Sequence, residues 1–430
     1  MTAPLTFIVV LLFVLLAGGL WVGIALMSVG ILSLETFRTM RVDSFLAGDV
    51  WASATALELV TLPLFILMGE ILFQTRLSEN LFAGLAPFVR RLPGRLLHVN
   101  VLGCTLFAAV SGSSAATTAT VGRITLTELA ARDYDRRLAM GGLAGAGTMG
   151  FLIPPSIPLI VYGVLAQVSI LDLFIAGIVP GVLLAVLFMA YLGAASLVAP
   201  GAASAPEPST TWRHKLRALG LLMPTVLLIL FVVGSMYLGF ASVTEAAAIG
   251  VLGAAILAAA ERQLTVSMMR EALLGTVRTC SMIGLIIVGA LFLSKAMARL
   301  SIPTDVASAI EAMALDPVTL IFILMGFYIL LGCFLDGLST IVMTLPVTLP
   351  LVTAAGFDPV WYGIFLIVTV EMAQITPPIG FNLFVIKGLT GEPIGRIARA
   401  AAPFCGLMIA LVVLLVFVPE IALWLPGSMR

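Results

Sequence analysis

Residues 103–158 read GCTLFAAVSGSSAATTATVGRITLTELAARDYDRRLAMGGLAGAGTMGFLIPPSIP. An apolar run leads into a polar knot, Ser111-Gly112-Ser113-Ser114, and a second run rich in Ala and Thr follows. A charged turn comes next, then a Gly-rich helix interrupted at Pro154-Pro155. The same order returns later. Residues 332–350, GCFLDGLSTIVMTLPVTLP, carry a knot at Asp336, Gly337, Ser339 and Thr340. Residues 371–382, EMAQITPPIGFN, predict another helix broken at Pro377-Pro378. The tails match as well, IPPSIPLIVYGVL against ITPPIGFNLFVIKGL. A duplicated hairpin plus broken helix, in a membrane protein, points to a transporter core.

The membrane assignment comes from composition. The chain has 430 residues, 61% hydrophobic and 10% charged, whereas a soluble domain is about half apolar and about a quarter charged. Charge-free runs at 5–34, 175–206 and 218–244 are each long enough to cross the roughly 30 Å hydrocarbon core as a helix. The expected class is therefore an all-α polytopic membrane protein embedded in a lipid bilayer. Zero net charge gives a nucleic-acid partner no electrostatic support. Cys104, Cys280, Cys333 and Cys405 sit in apolar segments without metal-ligand spacing and read as packing residues. The N-terminus has no basic n-region and its apolar run is too long for a cleavable signal peptide.

Residues 4–34 are apolar around Gly18-Gly19, either one long tilted helix or two short ones folded at the glycines. Residues 35–54 read as an amphipathic connector, and 55–74 as a span containing Glu58 and Glu70. Residues 96–127 are flanked by Arg90, Arg91 and Arg95 on one side and Arg123, Arg132, Arg136 and Arg137 on the other. Positive charge prefers the cytoplasm, so both ends belong on one face and the segment is re-entrant, with the Ser111–Ser114 knot at its tip. Residues 137–168 then cross outward through the Pro154 break, and 173–198 cross back. The Ala/Pro/Ser-rich loop 199–217 reads as the linker between two repeats of opposite orientation. Residues 218–240 and 243–260 form an out-and-back pair, 279–298 cross outward, and 317–354 begin and end on the outer face. Residues 359–388 are the second broken helix and 400–426 the last span. Of the 22 Lys and Arg, only Arg38, Arg41, Lys295, Arg299 and Arg430 fall outside in this topology. Reading 96–127 as a full crossing would put the basic turn 128–137 on the wrong face.

Backbone inside hydrocarbon must satisfy its own hydrogen bonds. A non-helical tip at that depth lines a cavity or holds an ion. The Ser111–Ser114 knot offers carbonyl and hydroxyl oxygens, which suit a hard, weakly held cation. A Pro-Pro pair removes amide donors and frees carbonyls about one turn earlier, at Gly147–Gly150 in the first repeat and near Ala373, Gln374 and Ile375 in the second, with the Thr376 hydroxyl beside them. Each knot is expected to face its break and form one Na⁺ cage. Half-helices starting at the tips and breaks aim positive dipole ends at a substrate carboxylate. A Pro-Pro pair alone reads as a kink, and a Ser-rich patch alone as a packing face. Both together, twice and in one order, favour a ligand site. Of the acids in apolar runs, Asp336 and Glu371 adjoin the second knot and break and read as functional. Glu58 and Glu70 read as subunit contacts and Glu245 as solvated. His98 and His214 lie near basic turns and read as exposed.

GCTLFAAVSGSSAATTATVG, GTMGFLIPPSIPLIVYG, GCFLDGLSTIVMTLP and EMAQITPPIGFNLFVIKG resemble the signature segments of the large membrane subunit of TRAP (tripartite ATP-independent periplasmic) transporters, the DctM family. The resemblance covers nearly the whole chain. It implies an elevator-type, Na⁺-coupled importer of organic acids, without an organic cofactor, in the bacterial inner membrane. It also implies two partners, a periplasmic substrate-binding protein and a small membrane subunit of about four helices. No spare segment accommodates that subunit, so it is expected on a separate polypeptide. By resemblance, one Na⁺ site falls on Ser111, Ser114, Gly147 and Pro154, and the other on Asp336, Thr340, Ala373 and Thr376. The substrate carboxylate would lie near Ser113, Pro155 and Asn382.

The expected organisation is N-terminal scaffold helices (1–95), first hairpin and broken helix (96–168), connecting and scaffold helices (169–316), second hairpin and broken helix (317–388) and a C-terminal helix (389–430). A stand-alone divalent-anion/Na⁺ symporter is the rival within transport, but such carriers have Ser-Asn-Thr tips. An intramembrane serine hydrolase using Ser113 or Ser114 needs a His at membrane depth, and neither His98 nor His214 is placed for it. No Gly-x4-Gly-Lys-Ser/Thr occurs, so this chain is not expected to hydrolyse ATP or to be an enzyme. The topology predicts that cysteines at positions 92 and 134 are both labelled from the cytoplasm by an impermeant reagent; labelling from opposite sides would break the re-entrant hairpin.

Overall fold

The structure is a computed structural model that describes residues 3–38, 42–198, 211–305, 308 and 316–429. The described residues are helical throughout, with no strand. The N-terminal run is two helices, α1 (Ala3–Ala17) and α2 (Val22–Phe37). They fold at Gly19, whose φ of 80° is a left-handed conformation that only glycine adopts without a steric cost. The connector is largely α3 (Val42–Ala54). The Glu70 span shortens to α4 (Thr61–Phe73), preceded by a single tight turn, and α5 (Leu77–Val89) follows.

The deciding stretch forms α6 (Leu97–Ser111), α7 (Ser114–Ala131), α8 (Arg136–Thr148) and α9 (Ile157–Ala166). Gly112, at φ 58°, ends α6, and the Ser113 side chain caps α7 by accepting from the Ala116 N–H. The two helices pack as a hairpin. Its two ends meet, because the Leu96 N–H donates to the Tyr134 hydroxyl at 3.4 Å. Tyr134 is buried, so exposed Asp133 replaces it as the labelling position.

Next come α10 (Ile170–Val198), α11 (Trp212–Tyr237), α12 (Val243–Ala260) and α13 (Val266–Arg299). The expected linker ran to residue 217, but α11 starts at Trp212 and takes Arg213, Lys215 and Arg217 into its first turns. Residues 199–210 lie outside the described residues. The second unit is α14 (Pro317–Gly332), α15 (Gly337–Ala354), α16 (Pro359–Gln374) and α17 (Phe381–Thr390). The last span breaks at Val418-Pro419 into α18 (Ile394–Phe417) and α19 (Glu420–Ser428). Among the described residues, six helices (α10, α11, α12, α13, α15 and α18) are long and apolar enough to cross a membrane.

Two packed groups emerge. Helices α2, α4 and α13 pack together, and α11 and α12 join them through α4 and α5. Helices α6–α10 and α14–α19 form the other group, with α18 against α8 and α17 against α7. Small residues set the closest crossings, as lipid-embedded helices require. A methyl group on Gly23 of α2 would sit 2.6 Å from the Leu285 carbonyl oxygen of α13. One on Gly284 would meet nothing within 4 Å. Gly23→Ala should therefore destabilise the protein by about 1–3 kcal/mol through overpacking, seen as a lower melting temperature in detergent, while Gly284→Ala should melt with wild type.

Candidate functional site

Each polar knot is packed against its own helix break. At the first, the Ile157 N–H donates to the Gly112 carbonyl at 3.4 Å. A Cβ on Gly112 would lie 3.0 Å from the Pro155 carbonyl oxygen, and one on Gly150 would lie 2.6 Å from the Ser113 carbonyl. A Cβ on Gly147 would overlap the Thr118 hydroxyl. The glycines are what let the break approach the knot. Ser111 Oγ sits 2.8 Å from Thr117 Oγ1, which donates to the Ser113 carbonyl at 2.7 Å. Ser156 caps α9 through the Leu159 N–H and donates its hydroxyl to the Phe151 carbonyl freed by the break. Ser111, Ser114, Gly147 and Pro154 are all buried, and Gly147 packs on Thr118, whose hydroxyl donates to the Ser114 carbonyl at 2.9 Å.

At the second knot the Gly380 N–H donates to the Cys333 carbonyl at 3.3 Å, and the Cys333 thiol reaches the Pro377 carbonyl at 3.4 Å. A Cβ on Gly332 would lie 2.6 Å from Ala373 Cβ. Thr340 is buried and donates to the Asp336 carbonyl at 2.9 Å. Thr376 donates to the Met372 carbonyl at 2.8 Å. The Asp336 carboxylate is exposed and caps α15 by accepting from the Ser339 N–H at 3.0 Å. Its side chain does a helix cap's work, so the knot's inward-facing oxygens come from its main chain and Thr340. Behind them a buried hydroxyl chain fixes α15. Thr344 donates to the Thr340 carbonyl at 2.7 Å and to Tyr328 at 3.1 Å, and Tyr328 lies 2.7 Å from Thr348 and 2.9 Å from Tyr362. Both Pro-Pro bonds are cis. The breaks differ in setting: Pro154 and Pro155 are buried, whereas Pro377 and Pro378 are exposed.

Two contacts join the halves. Asn382, on α17, donates from Nδ2 to Ser114 Oγ of the first knot at 2.7 Å. Glu371, on α16, accepts the Phe151 N–H of the first break at 3.2 Å. Asn382 thus reaches Ser114, next to Ser113, while Pro155 packs on Gly112 of the same knot. Three buried atoms there have no hydrogen-bond partner: Asn382 Oδ1, Gln374 Nε2 and Glu371 Oε2. An unmet buried donor or acceptor costs about 1–3 kcal/mol, so these atoms make the junction of the two halves a candidate polar-ligand site. The residues at the knots not anticipated are Thr117 and Thr118; Gln374 was expected only through its carbonyl, and Glu371 as functional but not as a bridge. The Thr pair was visible only as part of an Ala/Thr-rich run.

The donor set is hydroxyls and carbonyls. Among the described residues no group of three His, Cys, Asp or Glu gathers as for a transition metal. Elsewhere, one expectation about buried polarity changes. His98 is buried, 3% exposed, with Nε2 at 2.5 Å from the Pro93 carbonyl, because it folds back under the turn that starts α6. His214 is exposed. Glu245 forms a capping box with Ser242, Glu70 packs beneath Gly275, and the Glu58 side chain lies outside the described residues. Gly150→Ala should drive the first break off its knot. Uptake by the assembled transporter should be lost, with a stability change of about 1–3 kcal/mol, read by uptake and melting on the same preparation.

Comparison with known proteins follows this geometry. The chain is 31% identical over 399 residues to the C4-dicarboxylate TRAP transporter large permease protein of Pseudomonas aeruginosa, covering 93% of this chain and 92% of that one. It is 31% identical over 436 residues to the ectoine/5-hydroxyectoine TRAP transporter large permease protein of Ruegeria pomeroyi, covering 99% and 98%. In fold it is similar to the crystal structure of the Alcanivorax borkumensis YdaH transporter, with a TM-score of 0.64 at 15% identity over 90% of this chain and 89% of that one. The model of the tripartite ATP-independent periplasmic transporter DctM component matches residues 9–421, and with two glycine-opened knots packed on two proline breaks inside an all-helical membrane protein, the chain belongs to that family of large permease subunits.

Proposed function

We propose that this subunit imports an organic acid across the bacterial inner membrane, coupled to Na⁺ and working by an elevator movement. The observation that carries it is the pair of knot-and-break clusters, bridged by Asn382–Ser114 and Glu371–Phe151. Na⁺ would be held by Ser111, Ser114, Gly147 and Pro154 at the first cluster, and by Asp336, Thr340, Ala373 and Thr376 at the second, Asp336 through its carbonyl. The ion supplies positive charge that draws the substrate carboxylate toward Ser113, Pro155 and Asn382, where α7 and α17 start. Their N-terminal N–H groups favour an anion. The cargo of the relatives differs between C4-dicarboxylate and ectoine, so the shared feature is a small carboxylate-bearing solute delivered by a periplasmic binding protein. A separate small membrane subunit completes the complex.

The re-entrant, inverted arrangement is supported by how charges gather. Arg90, Arg132, His214 and Arg217, all assigned to the cytoplasmic face, line one cavity. Gln167, Ser169, Thr244 and Lys295, all assigned to the outer face, line another, of about 740 Å³. Lys295 pairs there with Asp49 at 2.8 Å. In this reading, α6–α10 and α14–α19 travel as one body against α1–α5 and α11–α13.

Uptake into proteoliposomes with both partners should require an inward Na⁺ gradient and vanish in choline. Ser114→Ala and Thr376→Ala should each weaken apparent Na⁺ affinity about 10- to 150-fold, since a charge-assisted contact is worth roughly 1.5–3 kcal/mol. Transport should recover in part at high Na⁺, and substrate affinity should weaken in parallel because coupling is reciprocal. Ser196→Ala, away from the tips, is the control. Wild-type Na⁺ dependence in both tip variants, with loss in Asp336→Asn, would replace the cages by a carboxylate-centred site.

A further inference from the structure

Three helix ends meet at the basic cavity. Arg90 closes α5, Arg132 closes α7, and Trp212 opens α11 with Arg217 in its second turn. All three arginines line a space of about 470 Å³, with Glu128 as the one carboxylate. Glu128 pairs with Arg132 at 3.0 Å. The side chains lining the cavity thus include three guanidinium groups and one carboxylate. The helix polarity agrees with that charge. The ends of α5 and α7 favour their own cations, and the start of α11 favours an anion. The remaining wall is His214 and apolar residues that include Phe82, Ala86 and Leu221.

The setting is amphiphilic. Trp212, 72% exposed, stands at the start of a helix long and apolar enough to span, the level at which tryptophan marks a membrane–water interface. Farther along α11, Leu221 and Phe231 continue from the Arg217 side and are exposed. A ligand that fits has a compact anion for the guanidinium forks and a hydrocarbon tail for the helix face.

We propose that this cavity binds the phosphodiester headgroup of an anionic phospholipid, with its acyl chains along α11. The headgroup spans the hairpin arm α7 and the α5–α11 pair, so lipid charge bears on how those parts sit together. The inference does not depend on Na⁺ coupling or on the substrate.

The test is native mass spectrometry of the full chain titrated with phosphatidylglycerol, with phosphatidylcholine, and with inorganic phosphate as competitor. Wild type should retain phosphatidylglycerol in preference to phosphatidylcholine. Arg132→Ala and Arg217→Ala should each weaken phosphatidylglycerol retention about fivefold, the share expected for one arginine at a membrane surface. Arg213→Ala, on the same helix but outside the cavity, should match wild type, and equal melting temperatures confirm that the variants are folded. Equal retention of the two lipids by wild type would overturn the proposal. So would variants that hold phosphatidylglycerol as wild type does, or displacement of the lipid by millimolar inorganic phosphate, which would make the ligand a free anion.

Discussion

Breaking a helix inside an apolar medium strands N–H and C=O groups that no water can reach. The breaks at Pro154-Pro155 and Pro377-Pro378 create that demand, and the two knots answer it. Gly112 O receives the Ile157 N–H, and Cys333 O receives the Gly380 N–H. Once a knot must reach a break, the residues between them have to be small. Gly147, Gly150 and Gly332 stand at the contacts where a methyl group would collide. The close packing of each knot on its break is thus a consequence of satisfying the chain's own hydrogen bonds.

The two clusters are not independent. Glu371 holds the first break from the second broken helix, and Asn382 holds the first knot from the helix that follows the second break. Both contacts are buried and both connect distant parts of the chain. In the function proposed above, a cation or carboxylate bound at one cluster would act on groups the other cluster positions. That is the physical basis for two sites sharing one binding equilibrium. The unpartnered Oδ1 of Asn382 and Nε2 of Gln374 offer an acceptor and a donor beside it.

The halves also differ. The first break is buried, while Pro377, Pro378, Ile379 and Phe381 are exposed on the second. The charges sort into two sets as well, a basic one around Arg90, Arg132 and Arg217 and an opposite one around Lys295 and Asp49. In the proposed topology a bilayer lies between these two sets, in a chain of which 10% of residues are charged.

Hydropathy and proline placement let the sequence alone determine the membrane class, the two knot-and-break units and their order, and the family motifs. These signals are local: a run of apolar residues, a Pro-Pro pair, a Ser-Gly-Ser tip. The sequence also brought the first knot to its own break, where Gly112 packs on Pro155 and Gly150 on Ser113, because both lie on neighbouring segments of one hairpin-and-helix unit. What only the tertiary structure decided was which distant groups share a hydrogen bond. Asn382 with Ser114 and Glu371 with Phe151 leave no periodic trace, since any neighbour with a free donor would read the same in one dimension. Local alternatives of equal composition were settled the same way. Gly19 adopts a positive φ and splits the first run, Asp336 spends its carboxylate on its own helix end, and His98 folds inward onto Pro93. In each case packing chose among conformations that the residue types permit equally.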